Sequence, residues 1–588
     1  MKLIRANFLI ITIVLGLAVI LTLPHIFRYL ALGSKYTTLI INGPSATQTS
    51  WEETYTYATE ANRIKNNQPI NDPYIFEYRN KPSPLISELV PSLLLGISAK
   101  VLSIPLVFIL IKIILIPAVV LIWYLIAREI GYSKIISVAS ALMGMILQKA
   151  FAYLPYANQL YSYQFNNYLE IQRTYFPLIS SFLISISILL VIKLLKFEYG
   201  PFKKILVGVI FGSLFYTYFF AWTVFWVSLV MLFVTLVFKK QYKILRRLII
   251  PIVTATVIAA PYFLNLLAFS SNSAKQDFIL RTIAFPISDW NLPVILRFLI
   301  LIALLFISSR SWLKVPGKLF LIVFLTSALL LSPLSKLILG ADYQSDHWYE
   351  RFLYPVSTFL FTVLVFDVLS KFKPKANSFI ALILILICLS KVVLVTVSEI
   401  GKAKADFRIG SEREDLYRWL LPNIPKDSVV ATLSFTESVY LTAYTPYYSY
   451  LPQAYKTIAP KQEILDRYVN LTRLFGVSSN FITQSFIMPN EPYQNPNSIV
   501  ANDGNAYMML TGILGHFDAF PYPFHKEIQS QILTKLSQVV PWQGRADYVL
   551  FGPLEQENAK NTKLKSCRLL YNNGVYRLFD FKTCSFNL

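Results

Sequence analysis

Two adjacent glutamates, Glu52 and Glu53, stand in the tyrosine-rich segment 49–57 and are the first residues whose types could do chemistry. A carboxylate beside aromatic rings can act as a general base in a poorly hydrated site. Adjacent side chains diverge in a helix or a strand, so the two need not share one role. The same residues also suit a helix start, because Ser50-x-x-Glu53 is a capping-box pattern. The segment therefore predicts a general base, the start of a helix, or both.

A second cluster stands directly before a late apolar run, where Asp346, His347 and Arg351 lie close together in the sequence. A guanidinium at the mouth of a membrane helix, beside a histidine and aromatic rings, suits a phosphate group. The alternative is an interfacial aromatic belt in which Arg351 snorkels and pairs with Asp346 or Glu350. The residue types alone leave both interpretations open.

Arg173 occupies a similar place in front of another apolar run. It could face a phosphate, but a simple ion pair with Glu170 is the favoured alternative. A metal is possible as well, since Glu52 and Asp346 could bind Mg²⁺ or Mn²⁺ through their oxygens. No metal-ligand spacing such as HExxH or CxxC occurs in the sequence to require one.

The composition places the elements that carry these residues in a membrane. Of the 588 residues, 55% are hydrophobic and only 15% are charged, whereas soluble domains carry about 25% charged residues. This excludes a soluble multidomain enzyme and a disordered chain. About eleven apolar runs approach the length that crosses a bilayer. They cover roughly 7–24, 101–127, 134–151, 176–195, 203–219, 221–238, 247–266, 293–309, 317–333, 352–370 and 377–397.

Basic residues indicate which side of the membrane each connection faces. Alternate connections, such as 193–204, 239–247 and 371–375, are rich in lysine and arginine, and cytoplasmic connections collect these residues. Lys2 and Arg5 precede the first run on the same side. The N-terminus is therefore predicted to be cytoplasmic, and an odd number of crossings places the tail outside. The formal net charge of +22 follows from this topology and requires no nucleic acid.

The first predicted external segment, 25–100, carries both candidate glutamates. It is much longer than an ordinary connection, which in ordered loops commonly indicates function. Its end, 84–99, is predicted to be a helix that lies on the membrane surface, because Lys100 interrupts the apolar stretch.

The tail, 399–588, alternates helix and strand patterns, which predicts a small α/β domain. It closes with a hairpin about Asn572-Asn573-Gly574, and Cys567 and Cys584 can form at most one disulfide there. Strands are predicted at 428–433 and 548–551, and helices at 414–421, 462–475 and 524–539.

Together these features resemble the GT-C superfamily of polytopic membrane glycosyltransferases, which take a sugar from a polyprenyl-phosphate carrier. More narrowly, the chain resembles poorly characterised bacterial members with Asp-Glu-x-x-Tyr in the first loop and Tyr-Val-x-x-Gly-Pro-x-Glu near the C-terminus. The corresponding segments here are Glu52-Glu53-Thr-Tyr-Thr-Tyr57 and Tyr548-Val-Leu-Phe-Gly552-Pro553-Leu-Glu555. Glu52 departs from the pattern, because Asp is usual at its position.

The resemblance implies a GT-C-like transmembrane domain, 1–398, and an extracytoplasmic α/β domain, 399–588, in a bacterial plasma membrane. It implies that Glu52 or Glu53 is the general base and that some members use a divalent metal. The implied partners are a polyprenyl-phosphate-linked sugar, the bilayer, and an acceptor glycan, lipid or protein. The implied substrate-binding residues are Arg351, His347, Asp346, Arg173 and Tyr57.

Three other functions fit the same architecture: a catalytically inactive membrane scaffold, a transporter, and a lipid-linked glycan ligase. A transporter needs ionisable residues at mid-membrane, and the predicted spans hold few. A ligase would show a strongly cationic central cavity, which the sequence does not reveal. The glycosyltransferase interpretation requires the acids and the arginine to gather at the non-cytosolic mouth of a lipid-accessible cleft.

Overall fold

The chain divides into two compact units in a computed structural model. Unit 1 comprises Met1–Phe27, Ile109–Phe263 and Pro286–Lys402, and unit 2 comprises Arg28–Phe108, Leu264–Phe285 and Ala403–Leu588. The structure describes residues 8–40, 53–84, 88–154, 156–166, 169–173, 178–282, 295–296, 298–299, 301–303, 314–340, 342, 344, 346–372, 376–402, 404–451, 457–485, 510, 523–538, 540–559 and 563–585.

Long apolar helices make up unit 1. Within the described residues, seven helices are long and apolar enough to cross a membrane. They are Phe8–Leu32, Ile104–Glu129, Phe219–Phe238, Tyr242–Ser270, Pro316–Ile338, Asp346–Lys371 and Ala376–Gly401.

Three shorter helices coincide with three further predicted spans: Lys134–Ile146, Ser180–Lys196 and Pro201–Ser213. Most of the predicted span 293–309 lies outside the described residues. Helices are thus confirmed at ten of the apolar runs. The physical reason is that a helix satisfies all backbone hydrogen bonds of a long apolar stretch within the stretch itself. The number of crossings and their orientation stay predictions.

The first helix is longer than predicted. It continues through Pro24 to Leu32, so the first loop starts after Leu32 rather than at residue 25. The residues beyond Pro24 remain mostly apolar, which favours continued helix in a nonpolar environment even where proline removes one hydrogen bond.

Close packing joins two helices of unit 1 that matter for the site. A Cβ atom on Gly144 would lie 3.0 Å from Cβ of Phe359 and 3.2 Å from the carbonyl oxygen of Pro355. The helix Lys134–Ile146 therefore approaches the helix Tyr354–Phe372 at a distance that only glycine permits without displacement.

A mixed five-stranded sheet organises unit 2. Its strands are β1 (Val429–Ala431), β2 (Tyr448–Ser449), β3 (Tyr548–Phe551), β4 (Arg568–Asn572) and β5 (Arg577–Asp580), in the order β2-β1-β3-β5-β4. β1 pairs in parallel with β2 and β3, whereas β5 pairs antiparallel with β3 and β4. The predicted strands and closing hairpin are confirmed, and Gly574 supplies the positive φ of +88° in the turn.

The helices of unit 2 include the predicted ones. The predicted helices of the tail are observed at Ser411–Asn423, Lys461–Phe475 and Pro523–Ser537, and Leu89–Ser98 forms the helix expected within 84–99. The remaining helices of eight or more residues in the described part of unit 2 are Ala58–Lys65, Lys275–Thr282 and Phe435–Tyr444. Unit 1 also contains the shorter helix Ala157–Phe165. Cys567 and Cys584 form the one disulfide that the cysteine positions allow.

Unit 2 contains more than the predicted tail domain. Buried hydrogen bonds join first-loop residues to the tail: Asn62 Nδ2 donates to the carbonyl oxygen of Thr445 at 2.6 Å, and Arg63 Nη2 donates to that of Tyr447 at 3.0 Å. The predicted division after residue 398 therefore separates segments that pack in one compact unit.

Candidate functional site

A partly buried group of charged residues in unit 1 includes two of the predicted site residues. Lys149 Nζ lies 3.1 Å from a carboxylate oxygen of Glu170 and 2.8 Å from one of Glu350. Arg173 and Arg351 also lie close enough to the Glu350 carboxylate to interact with it electrostatically. We call Lys149, Arg173, Arg351, Glu170 and Glu350 the cationic cluster, since three positive charges meet two negative ones.

Lys149 is a partner that the sequence patterns did not suggest for the two acids. Glu170, the favoured partner of Arg173 in the sequence, forms an ion pair with Lys149. Glu350 was a candidate partner for Arg351 and is also bound by Lys149. Arg351 is 7% exposed, so its charge is held in a region where electrostatic interactions are stronger than in water.

Two structural features hold the cluster in place. Arg351 and Glu350 lie on a π-helical turn, Tyr349–Leu353, which opens the helix Tyr354–Phe372, called the late helix from here on. π-Turns occur frequently at functional sites. Thr358 Oγ1, on that late helix, donates to the carbonyl oxygen of Gln148 at 2.7 Å. This bond fixes the backbone directly before Lys149.

A narrow crevice opens beside Arg351 within unit 1. Its empty volume is about 300 Å³, counting the open mouth. Arg351 and Gln148 supply charged and amide groups, Ser181 and Ser185 supply hydroxyls, and most of the other walls are apolar. The remaining lining residues are Trp123, Met145, Ile184, Ile188, Phe324, Phe352, Pro355 and Val356.

His347 contacts the start of the helix Phe219–Phe238. Its Nδ1 lies 2.5 Å from Tyr218 Oη, and its ring packs against Phe220. The neighbouring Trp348 donates to Thr223 Oγ1 at 3.0 Å, while Asp346 is exposed. Donor binding by His347 and Asp346 therefore stays a prediction.

The first-loop acid Glu53 lies in unit 2, at the start of a π-helical turn, Glu53–Tyr57, that leads into the helix Ala58–Lys65. The predicted helix is therefore present. Glu53 is 2% exposed and Tyr57 is 6% exposed. Glu52 and Ser50 lie outside the described residues, so the base assignment and the capping box stay predictions.

A further buried acid on this helix has a structural explanation. Glu60 is 2% exposed, and its Oε2 accepts a hydrogen bond of 2.8 Å from Ser92 Oγ on the helix Leu89–Ser98. The bond joins two helices that pack closely, because a Cβ atom on Gly96 would lie 2.4 Å from Cβ of Ile64. Glu60 thus stabilises the first-loop segment.

Glu555, the last residue of the motif 548–555, stabilises unit 2 by hydrogen bonds. It is fully buried, and its Oε1 accepts hydrogen bonds from Thr432 Oγ1 at 2.8 Å and from the backbone N–H groups of Leu433 and Ser434 at 2.7 and 3.2 Å. Its Oε2 accepts from the N–H of Gly552 at 2.9 Å. These four bonds tie the turn after β1 to the turn after β3, and such satisfaction is what permits a buried carboxylate.

The described residues offer no metal centre. No group of three or more histidine, cysteine, aspartate or glutamate side chains in the described part of the chain is placed to hold a metal. The two acids of the cationic cluster already face Lys149, a donor set that does not suit a divalent cation. A metal at Glu52 or Asp346 stays a prediction.

Lys149 and Lys391 are the residues that the sequence patterns missed. Both fall inside predicted spans, 134–151 and 377–397, which were expected to hold few ionisable groups. Lys391 is fully buried, and its Nζ donates to the carbonyl oxygens of Tyr163 and Asn166 at 2.7 and 2.6 Å. An ionisable residue inside an apolar run is itself a signal of function or of a specific partner.

Comparison with known proteins gives limited information. No protein-family model matches the sequence, and no curated protein matches it. The chain is similar to the Archaeoglobus fulgidus oligosaccharyltransferase tethered to an acceptor peptide with the NVT sequon: 12% identity, a TM-score of 0.43, and coverage of 93% of this chain and 70% of that one. A structure of the same enzyme with Zn and sulfate is also similar, with 12% identity, a TM-score of 0.37, and coverage of 90% of this chain and 67% of that one. These values are too low to transfer the role of any residue.

Proposed function

We propose that this protein is a GT-C-type membrane glycosyltransferase. It moves a sugar from a polyprenyl-phosphate-linked donor to an acceptor on the extracytoplasmic side of the bacterial plasma membrane. The observation that carries this proposal is the cationic cluster, which gathers Lys149, Arg173 and Arg351 at the start of an apolar helix.

Charge explains why such a cluster suits a lipid phosphate. Three cations and two carboxylates leave a formal charge of +1 in a partly buried place. A phosphate ester leaving group gains negative charge as its bond to the sugar breaks, and fixed cations stabilise that charge without reorganising. Arginine can also bind two phosphate oxygens at once.

The proposed reaction is a single displacement. Glu52 or Glu53 accepts the proton of an acceptor hydroxyl while the hydroxyl oxygen forms a bond to the anomeric carbon. The bond between that carbon and the phosphate oxygen breaks, and the electron pair leaves with the lipid phosphate. The cations of the cluster bind that phosphate, and the configuration at the anomeric carbon inverts. No step is assigned to a metal.

Sugar transfer by the purified protein from polyprenyl-phosphate donors tests the base. We expect the double variant Glu52→Gln, Glu53→Gln to lose about 10²–10⁴-fold in rate, the usual contribution of a positioned base. Glu60→Gln is the matched control, because glutamine can still accept the hydrogen bond from Ser92 and the rate should be kept. Transfer that survives the double substitution would remove both glutamates from the mechanism.

A catalytically inactive scaffold is the second candidate. Glu53 is almost completely buried, and a buried acid can serve packing alone. A scaffold would bind polyprenyl phosphate through the cationic cluster and transfer nothing, so the same assay combined with a lipid-binding measurement separates the two functions.

A further inference from the structure

Two basic connections of unit 1 converge on a single acid, Glu198. The connections 193–204 and 239–247 together carry nine lysines and arginines, and Glu198 is their one acidic residue. Arg247 Nε lies 2.9 Å from Glu198 Oε2, and Lys204 also binds this carboxylate. One acid thus holds a residue from each connection, and the excess of positive charge remains.

The helices behind these connections are held together by close packing. A Cβ atom on Gly208 would lie 2.5 Å from Cβ of Thr254, and one on Gly212 would lie 2.6 Å from Cβ of Ile258. The spacing Gly208-x-x-x-Gly212 is the small-residue pattern by which membrane helices approach closely. Arg247 Nη1 also donates to the carbonyl oxygen of Leu195 at 3.0 Å, at the end of another helix. The basic ends of the helices are therefore fixed next to one another.

Exposed cations and exposed aromatic rings alternate along this surface. Lys203, Lys240, Lys243 and Arg246 are exposed. Phe202 and Tyr242 stand directly beside Lys203 and Lys243 in the sequence, and Phe238 lies two residues before Lys240. The three rings are 71%, 53% and 82% exposed, respectively. Rings of this kind sit at the level of lipid headgroups, where cations meet phosphates.

We propose that the surface formed by Lys203, Lys240, Lys243 and Arg246 around the Glu198 junction binds the headgroups of anionic phospholipids. The phosphates lie against the cations while Phe202, Phe238 and Tyr242 enter the apolar part of the bilayer. A purely topological role for the charges would be indifferent to the headgroup, and the aromatic rings favour a lipid over a soluble anion. This proposal is independent of the proposed sugar transfer.

Lipid retention by the full-length protein tests the site. The delipidated protein is incubated with equal amounts of phosphatidylglycerol and phosphatidylcholine, and bound lipids are quantified by mass spectrometry. We expect phosphatidylglycerol to be enriched about fivefold or more in the wild type, and close to equal amounts in the variant with Lys203, Lys240, Lys243 and Arg246 changed to glutamine.

A charge-matched control separates this site from a general charge effect. Glutamine at four exposed positions of unit 2, Lys404, Arg418, Lys565 and Lys582, changes the net charge equally and should leave the enrichment intact. Equal enrichment in the surface variant and the wild type would overturn the proposal. So would selective displacement of the lipid by inorganic phosphate, compared with chloride at the same ionic strength, because that result assigns the site to a free anion.

Discussion

Lys149 binds Glu170 and Glu350 at once, and its side chain is only 13% exposed. Removing one member of a partly buried charged group leaves its partners uncompensated, which costs more than the loss of a fully exposed pair. At the residue scale, each cation of the cluster therefore either neutralises an acid or is available to bind an anionic ligand.

Replacing Lys149 changes that balance directly. In Lys149→Met the formal charge of the cationic cluster falls from +1 to zero, so we expect KM for a polyprenyl-phosphate donor to rise about tenfold or more. Initial rates against donor concentration measure this effect. Lys149→Arg keeps the charge and should keep KM within a few-fold. An unchanged KM in the methionine variant would remove Lys149 from the donor site.

Glu555 is predicted to affect the stability of unit 2 and not the transfer reaction. Glu555→Gln places an N–H₂ group where the carboxylate accepted a backbone hydrogen bond, so we expect unit 2 to lose about 1–3 kcal/mol of unfolding free energy. Denaturant unfolding followed by tryptophan fluorescence measures this loss, with the exposed Glu557→Gln as control. The transfer rate per folded molecule should stay the same. A rate loss of about 100-fold at unchanged stability would instead indicate a catalytic Glu555.

At the scale of elements, the sequence predicted helices well and their ends less well. The apolar run 134–151 predicted one span, but the helix ends at Ile146 and Lys149 follows in a turn. The hydrophobic pattern could not show this end, because the apolar residues on both sides of Gln148 and Lys149 continue the run. The lysine is placed by Thr358, a contact across 210 residues, which local patterns do not contain.

The close contact between the helix Lys134–Ile146 and the late helix supports the cationic cluster. In Gly144→Val the new side chain would meet Phe359 and the carbonyl of Pro355, so we expect the late helix to shift, with a stability loss of about 1–3 kcal/mol and reduced transfer. Gly16→Val is the matched control in another apolar helix, since no atom lies within 4 Å of a Cβ atom there. Thermal unfolding and the transfer rate measure both variants. Equal stability and equal transfer rates in the two variants would show that the close contact at Gly144 does not position the cluster.

At the scale of the whole molecule, chain order and compact units do not coincide. The strands and helices of the tail were predictable because alternation and amphipathic spacing are local. The joining of the first loop to the tail was not, because it depends on contacts such as Asn62 with Thr442 and Arg63 with Tyr447, at sequence separations of 380 and 384. No periodic pattern encodes which distant residue accepts such a bond.

The disulfide gives a stability prediction at this scale. Cys567 and Cys584 close a loop with a sequence separation of 17, so we expect reduction, or the Cys567→Ser, Cys584→Ser variant, to lower the unfolding free energy of unit 2 by about 3 kcal/mol. Cys388 is buried and free, and Cys388→Ser with the disulfide intact controls for thiol effects. Non-reducing peptide mapping of protein from cells should recover the bridge, as an extracytoplasmic location requires. A fully reduced pair would contradict that location.

The most direct test of the central claim is single-turnover sugar transfer by the purified full-length protein from a polyprenyl-phosphate-linked sugar, with wild type and Arg351→Gln compared at saturating donor. The account predicts transfer by the wild type and a loss of about 100-fold or more in the variant, the usual contribution of a group that stabilises developing charge. Arg351→Lys should recover part of the rate, and thermal unfolding should show all three proteins folded. Transfer at the wild-type rate by folded Arg351→Gln, or no transfer by the wild type from any such donor, would contradict it.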